Sequence, residues 1–249
     1  MMGEVNDDGF VSHALQSKYQ DGPTRLRVLQ PQNLPDTQPL KTLYVLPVAP
    51  NASRPWGDPL PEIRDLKLHE THSLLVVMPT FTGMPWYANH PTDPHSQQEH
   101  YFIEDVVPLV EKLYPSPQDV ERLLLGFSKS GFGAFNLFLR HPGMFAKAAA
   151  WDAPLGMASI GKYGAAETFG TQQNFDKYNV WDALKENAAD LTEGVRLGVF
   201  GYDTFRGHMQ AAHYSMVKWG IPHHFVDGPR REHHWNSGWL QDVIEFLAS

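Results

Sequence analysis

Between Leu123 and Pro142 the chain reads LLLGFSKSGFGAFNLFLRHP: an apolar run, a serine hemmed by small residues, then an amphipathic stretch. A serine on a sharp turn between a strand and a helix can present its hydroxyl as a nucleophile. Such a turn needs small residues two positions to either side, because larger side chains collide where strand and helix cross. Gly126 meets that demand before Ser128. After it, Ser130 stands where the pattern G-x-S-x-G has glycine, and Gly131 follows at once. Gly131, Gly133 and Ala134 then let the helix lie close to the sheet. In this reading the backbone N–H of Lys129, at a helix N-terminus, points at a developing oxyanion. The bland alternative is a tight turn with a hydrogen-bonding serine, and so short a motif does not separate the two.

A serine hydroxyl becomes an effective nucleophile only when a base accepts its proton and a third group orients that base. Adjacent histidines, His233 and His234, lie in GPRREHHWNSGW, just after the last strand-like segment. Two acids end strand-like segments between the serine and these histidines: Asp203 in VRLGVFGYD and Asp152 in KAAAWDAP. Asp203, on the segment directly before the His loop, is the expected acid in the order Ser, Asp, His. Asp152 is the alternative, a residue that could instead cap a helix or pin the interval 153–194. The second oxyanion donor is expected in MPTFTGMPWYANHP, at the backbone N–H of Phe81 or Thr82. Trp86 and Tyr87 in the same loop could wall a substrate pocket or be ordinary core aromatics.

Something must hold these residues together. FVSHALQS and TRLRVLQP alternate apolar and polar residues, as antiparallel strands with one solvated face do. LKTLYVLPVAP and HSLLVVMPT are continuous, β-branched runs, which suit strands buried on both faces. ERLLLGF, KAAAWDAP, VRLGVFGYD and IPHHFVD continue the series, with helical patterns near 60–70, 97–113, 131–141, 205–219 and 238–247. The fold class is therefore α/β: a mostly parallel central sheet, antiparallel N-terminal strands, and helices on both faces. We read residues 1–249 as one domain, with 153–194 an insertion of short helices over the active-site edge. Ligands in open α/β sheets bind at the carboxyl ends of the strands, and Ser128, Asp152, Asp203 and the His233 loop all fall there.

Composition narrows the chemistry further. The 249 residues include no cysteine, so disulfides, thiolate metal sites and cysteine nucleophiles are excluded. The net charge is −8 with scattered basic residues, which argues against a nucleic-acid partner. No apolar run is long enough to span a bilayer, so no membrane partner is expected. The N-terminus MMGEVNDDGF lacks the features of a signal peptide, which leaves a cytoplasmic protein or a secreted one already processed. The oligomeric state is unreadable. The 13 histidines raise the possibility of a metal-dependent hydrolase. Adjacent residues on an extended segment point to opposite sides, however, so His223-His224 and His233-His234 chelate poorly. No metal and no cofactor are expected.

LLLGFSKSGFGA, VVMPTFTGMPWYANHP, YFIEDVVPLVEKLYP and HHWNSGW together resemble the α/β-hydrolase superfamily. More narrowly, they resemble its esterase group, which includes esterase D-like, feruloyl-esterase-like and antigen-85-like proteins. The resemblance spans about residues 40 to 249. It implies a Ser-His-Asp serine hydrolase acting on a small-molecule carboxylic ester. In that group the catalytic histidine is followed two residues on by tryptophan; Trp235 in this role selects His233. The nucleophile carries over to Ser128 and the acid to Asp203. Three departures stand out: Ser130 replaces the usual glycine, PTFTG replaces a PDGG-like loop, and no local motif surrounds Asp203. An acyltransferase of the same fold, or a non-catalytic relative that only binds, are the alternatives.

Overall fold

The computed structural model describes residues 4–5, 9–32, 40–50, 56–116 and 120–249. Among the described residues there are nine strands: β1 (Glu4–Val5), β2 (Val11–Leu15), β3 (Thr24–Leu29), β4 (Lys41–Leu46), β5 (Leu74–Pro79), β6 (Arg122–Phe127), β7 (Lys147–Trp151), β8 (Leu197–Tyr202) and β9 (His223–Arg230). They form one sheet in the order β1-β2-β3-β5-β4-β6-β7-β8-β9. β1, β2 and β3 pair antiparallel, and β3 is antiparallel to β5. β4 to β9 run parallel.

Successive side chains of a strand face opposite sides of the sheet, and here both sides are apolar and covered. Tyr44, Leu46 and Leu124 point into one core, and Leu43, Val45, Leu123, Leu125 and Phe127 into the other. The first core is closed by α4 (Val107–Leu113), α5 (Lys129–Arg140) and α9 (Arg206–Lys218). The second is closed by α1 (Pro59–Asp65), α2 (Leu68–Thr71) and α10 (Leu240–Ala248). Each fully buried Leu, Val or Phe in these layers contributes about 1.5–3 kcal/mol.

Two of the expected helices are interrupted. The 60–70 pattern splits at Lys67, whose backbone is left-handed with φ 53°. In the 97–113 pattern, α3 (Gln98–His100) passes into a wide π turn, Tyr101–Val106, before α4. Pro108 lies in the first turn of α4 and has no N–H to offer the carbonyl of Glu104, so the preceding turn opens.

The interval 153–194 carries α6 (Ala165–Phe169), α7 (Gln172–Asp176), α8 (Val180–Glu186) and a 3-10 turn, Ala188–Leu191. It is tied to the rest by Thr168 Oγ1 donating to the Met84 carbonyl at 3.0 Å and Asn174 Nδ2 donating to the Asn89 carbonyl at 2.8 Å. Tyr178 of the same interval donates to Glu99, which is buried among Arg140, His141 and Tyr178.

The strand order fixes where a site can form. From β4 the chain steps outward to β5, then returns across β4 to β6. Direction therefore reverses between β4 and β6, the place where open α/β sheets leave a crevice beyond their carboxyl ends. Ser128 follows β6, and residues 47–50 follow β4.

Candidate active site

Ser128 occupies the turn between β6 and α5 with φ 55° and ψ −130°. A non-glycine residue there stores backbone strain of order 1–3 kcal/mol, held in place by its surroundings. The Ser128 N–H donates to the Trp151 carbonyl at 3.1 Å, and its own carbonyl accepts from Gly131 at 3.0 Å. Gly126 is obligatory, since a Cβ there would lie 2.2 Å from the Ser130 carbonyl oxygen. Ser130 is fully buried and has work of its own. Its hydroxyl accepts from the Phe127 N–H at 2.9 Å and donates to the Phe127 carbonyl at 2.8 Å, pinning the end of β6. The departure from glycine at this position is thus a compact, fully satisfied side chain.

His233 Nε2 lies 3.0 Å from Ser128 Oγ, and its Nδ1 lies 2.5 Å from Asp152 Oδ2. The ring is wedged between Phe127, at a centroid distance of 4.5 Å, and Phe205, at 5.6 Å. Beneath them Phe127, Trp151, Trp235 and Trp239 form an aromatic floor, with the Trp151 and Trp239 rings stacked at 5.0 Å. The Trp235 N–H donates to the Trp56 carbonyl at 2.8 Å, which fixes the loop that carries His233. His234 turns away, its Nδ1 accepting from the Asn236 N–H. His223 faces His213 instead, at 2.8 Å. Among the described residues no three His, Asp or Glu side chains converge on a point that could hold a metal ion.

The acid that meets His233 is Asp152, and the expectation of Asp203 is corrected. Asp152 is fully buried at the end of β7, the strand next to β6. Its Oδ1 accepts from the Phe205 N–H at 2.7 Å and its Oδ2 from the Thr204 N–H at 3.0 Å. Burial alone would raise this carboxyl. The hydrogen bond from His233 and the backbone N–H groups of the turn after β8 outweigh it and hold the pKa below the ordinary aspartate value. The segment around Asp203 therefore serves Asp152 with its backbone. The Asp203 side chain points elsewhere, accepting from Arg230 Nε at 2.8 Å. A register shift between β8 and β9 sets Arg230 opposite Tyr202 and so beside Asp203. Chain order could not separate the two acids, because both lie between Ser128 and His233. Their flanks could have: Asp152 sits in an apolar Trp-Asp-Ala-Pro setting, where a carboxylate must find donors.

Two further expectations are corrected. The N–H of Phe81 is donated to the Pro50 carbonyl at 3.3 Å and that of Thr82 to Gln20 Oε1 at 3.0 Å, so neither faces an oxyanion. The reason is topological: both follow β5, which is separated from β6 by β4. The loop beside Ser128 is the one after β4, which begins Pro47-Val48-Ala49-Pro50. Trp86 and Tyr87 have no exposed surface. Trp86 packs edge-on against Phe132, and Tyr87 donates its hydroxyl to the Pro47 carbonyl at 2.7 Å. A Cβ at Gly133 would meet the Tyr87 ring at 2.1 Å, so this glycine exists to admit a core aromatic. Lys129 opens α5, where the first N–H groups have no partner within the helix.

The family model described as "Putative esterase" matches residues 70–199, just over half of the chain. The chain belongs to this family. It is a carboxylic ester hydrolase of the α/β-hydrolase fold. Its fold is similar to that of a ferulic acid esterase, with a TM-score of 0.72, 20% identity and 96% of each chain covered. The fluorophosphonate-binding serine hydrolase F of Staphylococcus aureus is similar at TM-score 0.72 and 18% identity, over 96% of this chain and 98% of that one. The S-formylglutathione hydrolase of the same organism is similar at TM-score 0.74 and 16% identity, with the same coverage. A search of curated proteins finds no match. No helix among the described residues is long and apolar enough to cross a membrane.

Proposed function

We propose that this esterase cleaves carboxylic esters through an acyl-enzyme on Ser128, with His233 as general base and acid and Asp152 orienting it. The observation that carries the reading is the continuous contact from Ser128 Oγ through both nitrogens of His233 to a buried carboxylate, with the serine held on a strained turn.

With Nδ1–H donated to Asp152, Nε2 carries the lone pair that accepts the proton of Ser128 as Oγ bonds to the ester carbonyl carbon. The carbonyl π electrons move to oxygen, and in this reading the N–H of Lys129 receives that charge. On collapse the carbon–alkoxy bond breaks and the alcohol leaves with the proton held on Nε2. Water then loses a proton to Nε2 and attacks the acyl-enzyme. The acid departs and the proton returns to Oγ. Asp152 stays ionised throughout and stabilises the imidazolium that forms twice in each cycle. The fully satisfied first acceptor set of Asp152 supports this role, since a carboxylate with three donors has no tendency to take the proton itself.

A fluorophosphonate probe tests the assignment. Wild-type protein is expected to label and Ser128→Ala to remain unlabelled, with loss of small aryl ester turnover in step. Labelling that survives Ser128→Ala would overturn it.

A further inference from the structure

The residue after the nucleophile is a lysine whose side chain the mechanism above does not use. Lys129 is 8% exposed, and among the described residues its ammonium has no ionic partner. No carboxylate among the described residues forms an ion pair with it, and no oxygen accepts a hydrogen bond from it. Nζ lies 5.8 Å from the centre of the Trp56 ring, on the loop that follows β4. The acidic group that bears on it is Glu167 of α6, an exposed residue. The lysine thus stands next to the nucleophile in the chain, with Trp56 beside its ammonium. Burial pushes its pKa down to about 8, against the attraction of Glu167, so it still carries its charge through most of the population at neutral pH.

A largely buried lysine with no carboxylate beside it gains from an anionic group that comes to meet it. Every other strongly buried charge among the described residues already has its counterpart: Asp152 has His233, and Glu99 has Arg140. Resting on the esterase reading above, we propose that the Lys129 ammonium selects esters that carry a carboxylate near the scissile bond, pairing with it as the carbonyl settles against Ser128. A four-carbon stem ending in a compact point charge suits a single anionic group within a side chain's length of the carbonyl. The anionic group could belong to either half of the ester, and both are tested.

The measurement is a ratio of kcat/KM for matched esters. For the acyl half, mono-4-nitrophenyl adipate is compared with its methyl-capped counterpart, methyl 4-nitrophenyl adipate. For the alcohol half, 4-carboxyphenyl butyrate is compared with 4-(methoxycarbonyl)phenyl butyrate. The wild-type ratio of charged to neutral is expected to exceed one in at least one half. In Lys129→Met that ratio falls tenfold or more; in Lys129→Arg most of it remains. The wild-type ratio should also decline as pH rises from 7 to 9, because the ammonium is protonated below about pH 8 and neutral above it. The Arg variant stays charged and its ratio should be flat with pH. This pH readout on the wild type stands even if a substitution fails to fold. A ratio that is the same in wild type and Lys129→Met, or flat with pH in the wild type, overturns the proposal. If neutral esters are hydrolysed and Ser128 labels, that failure touches Lys129 alone. If no ester is hydrolysed and Ser128 does not label, the esterase reading has failed and Lys129 falls with it.

Discussion

Asp152 and Asp203 end adjacent strands, β7 and β8, and both precede His233 in the chain, yet the fold treats them in opposite ways. Asp152 is sealed from solvent, receives two backbone N–H groups and one imidazole, and stands on a residue with φ 41°. Asp203 keeps 22% of its side chain exposed and pairs with an arginine that is 71% exposed. What separates them is the supply of donors. The turn after β8 spends its N–H groups on the neighbouring strand's carboxylate, so one aspartate becomes rigid because the segment holding the other wraps around it. A carboxylate fixed by three donors can hold an imidazole in one tautomer and orientation, whereas one facing water through an arginine cannot.

The sharpest way to break that comparison is to neutralise each acid in turn. Asp152→Asn is expected to lower kcat on a neutral aryl ester by about 10³–10⁴, because the amide no longer enforces the tautomer in which Nε2 accepts a proton. Asp203→Asn should stay within about threefold of wild type. Paired kinetics on one substrate decide it, and a reversed order of losses would restore Asp203 as the acid.

The two acids also mark how far the sequence could be read. The alternation of strand and helix, the two antiparallel strands β2 and β3, and the buried runs of β4 and β5 all follow from periods and β-branched composition, which are local. Ser128 and His233 were visible because each sits in a distinctive run of small or aromatic residues. The carboxylate that meets His233 was narrowed to Asp203 or Asp152 but not chosen, and the loop beside Ser128 was not found, because both depend on which strands are neighbours. The crossover that places β4 between β5 and β6 sets the loop beginning at Pro47, and not 80–84, beside the turn that carries Ser128. Strand order is a long-range property that no local pattern encodes. Trp86 and Tyr87 show the same gap: an aromatic pair in a loop reads alike whether it walls a pocket or, as here, fills space above Gly133 and Phe132.

Glu99 extends the comparison to a carboxylate buried for anchoring instead of chemistry. Burial would raise its pKa, but hydrogen bonds from His141, Arg140 and Tyr178 bring it down to about 2. A depressed carboxylate stabilises the fold above its unfolded pKa, near 4.5, and that contribution drains away as the pH falls toward 2. Glu99→Gln is expected to cost about 3 kcal/mol at neutral pH by urea unfolding, with the difference from wild type shrinking below pH 4. Because Glu99 touches the 153–194 interval and not the Ser128–His233–Asp152 chain, kcat at permissive temperature should change far less than in Asp152→Asn. A loss of rate as large as that of Asp152→Asn would mean that the anchor positions the site itself.

The smallest effect belongs to the ion pair that holds Asp203, the acid favoured from chain order. Arg230 and Asp203 meet at 2.8 Å in water, where Coulomb attraction is weak and two long side chains lose freedom to hold one geometry. A double-mutant cycle with Arg230→Ala and Asp203→Ala should give a coupling of about 0.5 kcal/mol or less, shrinking further in high salt. Arg230→Ala should also leave kcat/KM for a neutral ester within about twofold. The register shift that brings Arg230 beside Asp203 would then be a matter of how β9 ends, not of catalysis. A coupling above about 2 kcal/mol would contradict this, since it would require a dry, rigid environment that only Asp152 has among these strand ends.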